Sequence, residues 1–174
     1  MHATAAPLLV LAYATLATAC ASAPRAEPDG ATFVIVRHAE KATDDTRDPT
    51  LTAVGQARAE RLATMLADAR LKAVYATGFR RTQATAQPAA RAHGLTVETY
   101  DARSAPADLA AQLRARHTDG TVLIVGHSNT APALAAALCA CPVEPMAETE
   151  YGIHYRLHAS AASEAPARLE VASW

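Results

Sequence analysis

The sequence predicts an α/β fold, a three-layer sandwich with a mostly parallel central sheet, helices on both faces and an antiparallel edge. Three observations point there. Strand-like and helix-like stretches alternate along the chain, the pattern that builds parallel sheets. Thr32-Phe-Val-Ile-Val36 and Thr121-Val-Leu-Ile-Val125 are continuous apolar runs rich in β-branched residues, as strands covered on both faces are. Two late segments, Gly152 to Leu157 and Arg168 to Ala172, read as an antiparallel pair closing one sheet edge.

The elements follow in order. After the Thr32–Val36 strand, Thr52 to Leu66 places Val54, Ala57, Arg58, Leu62 and Leu66 at helical spacings, with Thr52 as N-cap. Leu71 to Tyr75 is the second strand. Arg81 to His93 is the second helix, stopped by Gly94. Leu95 to Thr99 gives a third strand, Pro106 to Arg116 a helix ahead of Gly120, and Thr121 to Val125 the next buried strand, followed by a helix over Thr130 to Leu138. In such sheets, ligands gather at the carboxyl ends of the parallel strands.

Length and charge narrow the function classes. A chain of 174 residues favours one domain. Lys+Arg 16 against Asp+Glu 17 leaves a net charge of -1, so no global field holds a polyanion and nucleic acid is not an expected partner. Of the hydrophobic 51%, 45 residues are alanine, which leaves larger apolar side chains for one modest core. The seven His are many for this length, and imidazole is the side chain whose free pKa lies nearest neutrality.

Residues 1–20 read as an export signal, 21–30 as a flexible tether and 31–174 as the folded domain. Met1 to Cys20 holds no Lys, Arg, Asp or Glu, and its apolar run Pro7 to Ala19 is short for a bilayer span and ends in small residues. Leu16-Ala-Thr-Ala-Cys20 resembles a bacterial lipoprotein signal, which implies membrane anchoring through a lipidated Cys20. Ala17 stands where that pattern usually has a large aliphatic residue, and plain cleavage after Ala19, Ala21 or Ala23 is the alternative. Either way the expected location is outside the cytosol, in the periplasm or on the membrane as a lipoprotein. There Cys139 and Cys141 would form a small local disulfide or stay as two free thiols. A lone C-x-C gives little reason for a metal site.

Two apolar strands end in imidazole-bearing turns, Arg37-His38-Ala39-Glu40 and Gly126-His127-Ser128-Asn129, and a third runs into Thr77-Gly-Phe-Arg80-Arg81-Thr82. The topology rule puts all three at one sheet edge. Two imidazoles and at least two Arg in a nearly neutral chain call for an anion. Arg presents a planar fork of donors matched to phosphate, and helix-start amides add more. One imidazole among them can attack phosphorus, splitting a slow transfer into formation and hydrolysis of a phosphohistidine, while the other groups stabilise the equatorial oxygens. That scheme needs no metal or cofactor. Each residue alone would pass as an ordinary turn or surface residue; it is their coincidence at strand ends that carries chemistry.

These stretches resemble a known family. Arg37-His38-Ala39-Glu40 is similar to the R-H-G/A-E signature of the histidine phosphatase superfamily, the phosphoglycerate mutase-like group. Leu51-Thr52-x-x-Gly55 resembles its L-T-x-x-G helix start, Thr77-x-x-x-Arg81-Thr82-x-x-Thr85-Ala86 its S-x-x-x-R-x-x-x-T-A segment, and Gly126-His127-Ser128 its second-histidine turn. The resemblance implies that His38 is the phosphorylated nucleophile, that Arg37 and Arg81 clamp the phosphate and that His127 completes the pocket. By its spacing to Thr77 and Thr85, Arg81 is chosen over Arg80, which is assigned to the rim. Thr77 replaces the commoner Ser, and Ser128 stands where the acid-phosphatase branch has Asp.

The proton donor is therefore open. Asp101, just past the third strand, is placed first, ahead of Glu98, Asp44 and Asp45; Glu40 is expected to orient Arg37 or His38. Asn129 could offer its amide to the phosphate or cap a helix. His93, His117, His154 and His158 need no special role. The expected function is an exported, metal-independent phosphohydrolase that removes a phosphoryl group from a small phosphomonoester, or from phosphohistidine, through phospho-His38. The alternatives are a phosphomutase and a non-catalytic lipoprotein that binds an anion or an envelope partner.

Overall fold

The computed structural model describes residues 30–160 and 167–174. The expected export signal with Cys20, and the tether as far as residue 29, lie outside the described residues. Gly30, the last tether position, opens the first strand instead.

Strand β1 (Gly30–Arg37) leads to α1 (Ala53–Met65), β2 (Leu71–Thr77), α2 (Arg80–Ala92), β3 (Val97–Tyr100), α3 (Pro106–Arg116), β4 (Gly120–Gly126), α4 (Thr130–Cys139), β5 (Ile153–Ser160) and β6 (Arg168–Ser173). They form one six-stranded sheet in the order β3-β2-β4-β1-β5-β6. The first four in that order are parallel, and β5 and β6 close the sheet antiparallel.

The pleat of the buried strands divides the core in two. Phe33 and Ile35 of β1 face α3 and α4 together with Val122 and Ile124, while Val34 and Val36 face α1 and α2 with Leu123 and Val125. Each strand therefore presents apolar side chains to both helix layers, which is why these segments show no alternation. Among the described residues no helix is long and apolar enough to cross a membrane.

The chain reversals have local causes. Thr52 caps α1, its hydroxyl accepting the Gly55 N–H at 3.0 Å. Helix α4 ends on Ala140 at φ 51, between Cys139 and Cys141, which are joined by a disulfide.

Candidate active site

Strands β1 and β4 are neighbours with Arg37 opposite Gly126, so the residues that follow them, His38 and His127, emerge side by side. Their rings lie 5.4 Å apart between centroids. The His38 N–H donates to the Gly126 carbonyl at 2.9 Å, which extends the ladder one step beyond the strands. On the other side of β4, β2 delivers Thr77, and α2 begins three residues later with Arg81 in its first turn. Sequence segments far apart thus meet at the carboxyl end of three adjacent parallel strands.

His38 is buried, and its Nδ1 lies 2.7 Å from the Ala39 carbonyl. A carbonyl only accepts, so the neutral ring carries its proton on Nδ1 and keeps the Nε2 lone pair. Burial pushes its pKa down to about 3, with the charges of Arg37, His127 and Arg81 acting in the same direction against the Ala39 hydrogen bond. At neutral pH the ring is uncharged and able to attack an electrophile. The turn itself is held from α2: the Ala39 N–H donates to Thr85 Oγ1 at 3.0 Å, and that hydroxyl donates to the Arg81 carbonyl at 2.7 Å.

His127 Nε2 is taken by the buried Thr77 hydroxyl at 3.0 Å, and its Nδ1 lies 3.5 Å from Arg81 Nη2. Desolvation, then Arg81 and Arg37, lower its pKa to about 4. Arg81 stacks on Phe79, 4.4 Å from the ring centroid, and Phe79 in turn meets His127 edge-on at 5.2 Å. Nε and Nη1 of Arg81 make no hydrogen bond, although Asp48 Oδ1 comes within 3.6 Å of Nη1. Arg37 Nε is likewise without a hydrogen-bond partner. Buried donors without acceptors are costly, and those of Arg81 belong to a residue on the wall of a cleft of about 360 Å³, lined also by His38, Lys41, Phe79, Arg103, His127 and Glu148.

The rest of the Arg37 guanidinium is occupied. Nη1 donates to the carbonyls of Ala147 at 3.1 Å and Glu150 at 2.8 Å, Nη2 pairs with Glu148 at 3.1 Å, and the Tyr151 ring covers it at 4.3 Å. Arg37 is therefore fixed by the loop between α4 and β5; it is buried and is not among the residues lining the cleft.

The sequence profile of the histidine phosphatase superfamily (branch 1) matches residues 33–104. The match takes in His38 and Arg81 but ends before His127. Over those residues the chain resembles the histidine phosphatase superfamily. Solved structures agree on the fold. The protein histidine phosphatase SixA complexed with tungstate has a TM-score of 0.63 at 20% identity, covering 82% of this chain and 96% of that one. A mycobacterial glucosyl-3-phosphoglycerate phosphatase gives 0.64 at 17% identity, over 83% and 98%. The phosphoserine phosphatase of Entamoeba histolytica with 3-phosphoglyceric acid gives 0.63 at 14%, over 83% and 98%. No sequence among the curated proteins matches.

Within this site the motif residues divide by task. His38, His127 and Arg81 face the cleft directly. Leu51-Thr-x-x-Gly55 is structural: the Thr52 N–H donates to the Glu40 carbonyl at 2.9 Å, and a Cβ on Gly55 would stand 2.4 Å from that oxygen. Glu40 orients neither Arg37 nor His38. It holds Arg58 bidentately, with contacts down to 2.6 Å, and that hydrogen bonding keeps its carboxyl below the usual range.

Asp101, placed first as proton donor, is not brought to the cleft. Strand β3 is the outermost strand on its side, with β2 between it and β4; Ala102 and Arg103 after it reach the cleft wall, but Asp101 is not among the lining residues. The Asp101 carboxylate is exposed and spent on Arg103, at 3.1 Å to Nε and 3.0 Å to Nη2, which holds its pKa down rather than up. Glu98 pairs with Arg116, and Asp44 and Asp45 brace the loop around Thr50. Asn129 does line the cleft; its side chain makes no cap bond at the start of α4. Arg80 stays at the rim with Asp48.

The sequence does not single out Lys41, Phe79, Ala102, Arg103 and Glu148, which line the cleft, or Tyr151, which covers Arg37. Phe79 and Lys41 lie beside motif residues, which is the one signal that could have found them. Ser128, seen there only as a departure from the family pattern, has its hydroxyl on Glu148.

Proposed function

We propose that the protein is a phosphohydrolase that removes a phosphoryl group from a small phosphomonoester, or from phosphohistidine, through a phosphohistidine intermediate on His38. The observation that carries this is the two unpaired donors of Arg81, Nε and Nη1, beside an uncharged His38 whose Nε2 is free to attack. An anion with several oxygens satisfies both at once. In the first step Nε2 attacks phosphorus and the leaving group departs. In the second, water attacks the same phosphorus and the N–P electron pair returns to Nε2. Arg81 and His127 stabilise charge on the equatorial oxygens in both. The likeness to SixA, a protein histidine phosphatase, and to the mycobacterial and Entamoeba phosphatases supports this reading. Positive charge comes from guanidinium groups, so the reaction needs no metal.

The purified protein is expected to hydrolyse para-nitrophenyl phosphate, to keep doing so in EDTA and to lose activity in His38→Ala. Equal rates for the two proteins would leave the non-catalytic anion-binding alternative. Export and anchoring belong to the same proposal and rest on residues 1–20 alone: fatty-acid labelling is expected to disappear in Cys20→Ala.

A further inference from the structure

We propose that Glu148 is the proton donor of this reaction, and that the site is thereby suited to alkyl phosphate monoesters, whose alkoxide leaves poorly without a proton. The inference rests on the phosphohydrolase reading and deepens it.

Glu148 is the carboxylate of the cleft. It shares the lining with His38, Arg81 and His127, accepts the Ser128 hydroxyl, and pairs with Arg37 Nη2 at 3.1 Å and Lys41 Nζ at 3.8 Å. It also stands at a junction. A second groove, walled by Pro132, Ala136, Val143 and Met146, meets the first at Ser128, Asn129 and Glu148. A phosphoryl group among the arginines with its organic part along this apolar groove puts the scissile oxygen where the two meet.

Glu148 is held below the usual carboxyl range by the Ser128 hydrogen bond and by the charges of Arg37 and Lys41, so it is ionised at neutral pH. It occupies part of the Arg37 fork that a phosphate would take. Its side chain is 69% exposed, so it can give up that position without opening the core. An arriving phosphoryl group exchanges with it: the carboxylate loses the guanidinium and gains an anionic neighbour, both of which favour its protonated form. A monoester monoanion brings the proton needed, since its second ionisation lies near about pH 6.

The steps balance. As the His38 Nε2–P bond forms, the P–O bond breaks and its electron pair goes to the alkoxide oxygen, which takes the Glu148 proton and leaves as the alcohol. Water then attacks phosphorus while the Glu148 carboxylate accepts a water proton, and the N–P electron pair returns to Nε2. Phosphate leaves and Glu148 is again protonated or shares that proton with the product.

The test compares butyl phosphate, which releases a strongly basic alkoxide, with para-nitrophenyl phosphate, which releases a weakly basic phenolate, in wild type, Glu148→Gln and Glu148→Asp. The expected result is that Glu148→Gln lowers the ratio of kcat on the alkyl ester to kcat on the aryl ester by roughly a hundredfold. Glu148→Asp restores part of the ratio, and the basic limb of the butyl phosphate pH profile is lost with Gln. An equal fall on both esters would mark Glu148 as a mere support for Arg37 and overturn the proposal, as would no fall on either. Wild-type protein inactive on both esters would instead remove the phosphohydrolase reading, and this inference with it.

Discussion

Thr85 Oγ1 accepts the backbone N–H of Ala39 at 3.0 Å and donates its own hydrogen bond to the Arg81 carbonyl at 2.7 Å. One buried hydroxyl thus ties the turn that carries the nucleophile to the helix turn that carries the phosphate clamp. Thr85→Val keeps the shape and deletes both bonds; the Arg81 carbonyl keeps its helical N–H partner, and the buried Ala39 N–H is left unpaired. The expected cost is about 1–3 kcal/mol in urea unfolding, with kcat on para-nitrophenyl phosphate reduced more than in Thr85→Ser. Equal kinetics for the two variants would show that the tie does not position the turn.

That tie also explains how far the site could be read from the chain. The T-A element of the motif predicts a position, not a partner, and only the coordinates show its hydroxyl on Ala39. The buried strands were legible because covered faces demand apolar runs, and Thr52 was legible as a cap because its partner Gly55 is local. Non-local effects were not. Strand β3 begins at Val97 rather than Leu95, because the Leu95 N–H is still bonded to Ala90 as the chain leaves α2 through Gly94 at φ 66. Strand β5 runs on to Ser160 because β1 pairs with it along its whole length. Glu148 sits in a loop without periodicity, and nothing in its neighbours' identities says that it faces Ser128, 20 positions away.

Acid should destabilise the fold through the active-site imidazoles. The free pKa of 6.5 is pushed down to about 3 for His38 and about 4 for His127. Between those values and 6.5 the unfolded chain binds protons that the folded chain refuses, so stability falls as pH falls through that window and is fully present above it. His38→Asn removes one of the two groups. In buffer free of phosphate, wild type is expected to lose at least about 1 kcal/mol more than His38→Asn between pH 7 and pH 4, a gap expected from one strongly shifted group. Parallel stability curves would mean that His38 is not held neutral.

Asp101 offers a control. Its exposed carboxylate is paired with Arg103, and Asp101 itself does not line the cleft, so Asp101→Asn is expected to leave kcat on both alkyl and aryl esters within about twofold, far from the loss of a general acid. A selective loss on the alkyl ester would return Asp101 to the reaction and remove the case for Glu148.

Arg81→Lys separates charge from geometry at the clamp. The guanidinium is sandwiched between Phe79 and the cleft, with one nitrogen towards His127 and two without hydrogen bonds. Lysine keeps the positive charge but replaces a planar fork by a single point donor and gives up the flat stacking surface. If the unpaired nitrogens are there to meet two phosphoryl oxygens together, charge alone will not substitute for them, because the transition state spreads its charge over several oxygens at fixed spacing. The expected outcome is a fall in kcat/KM on para-nitrophenyl phosphate of about a hundredfold or more, in the range found when one preorganised donor is removed, together with weaker inhibition by inorganic phosphate. A change within about twofold in both would mean that only the field of Arg81 is used. The free nitrogens would then need another explanation than phosphate.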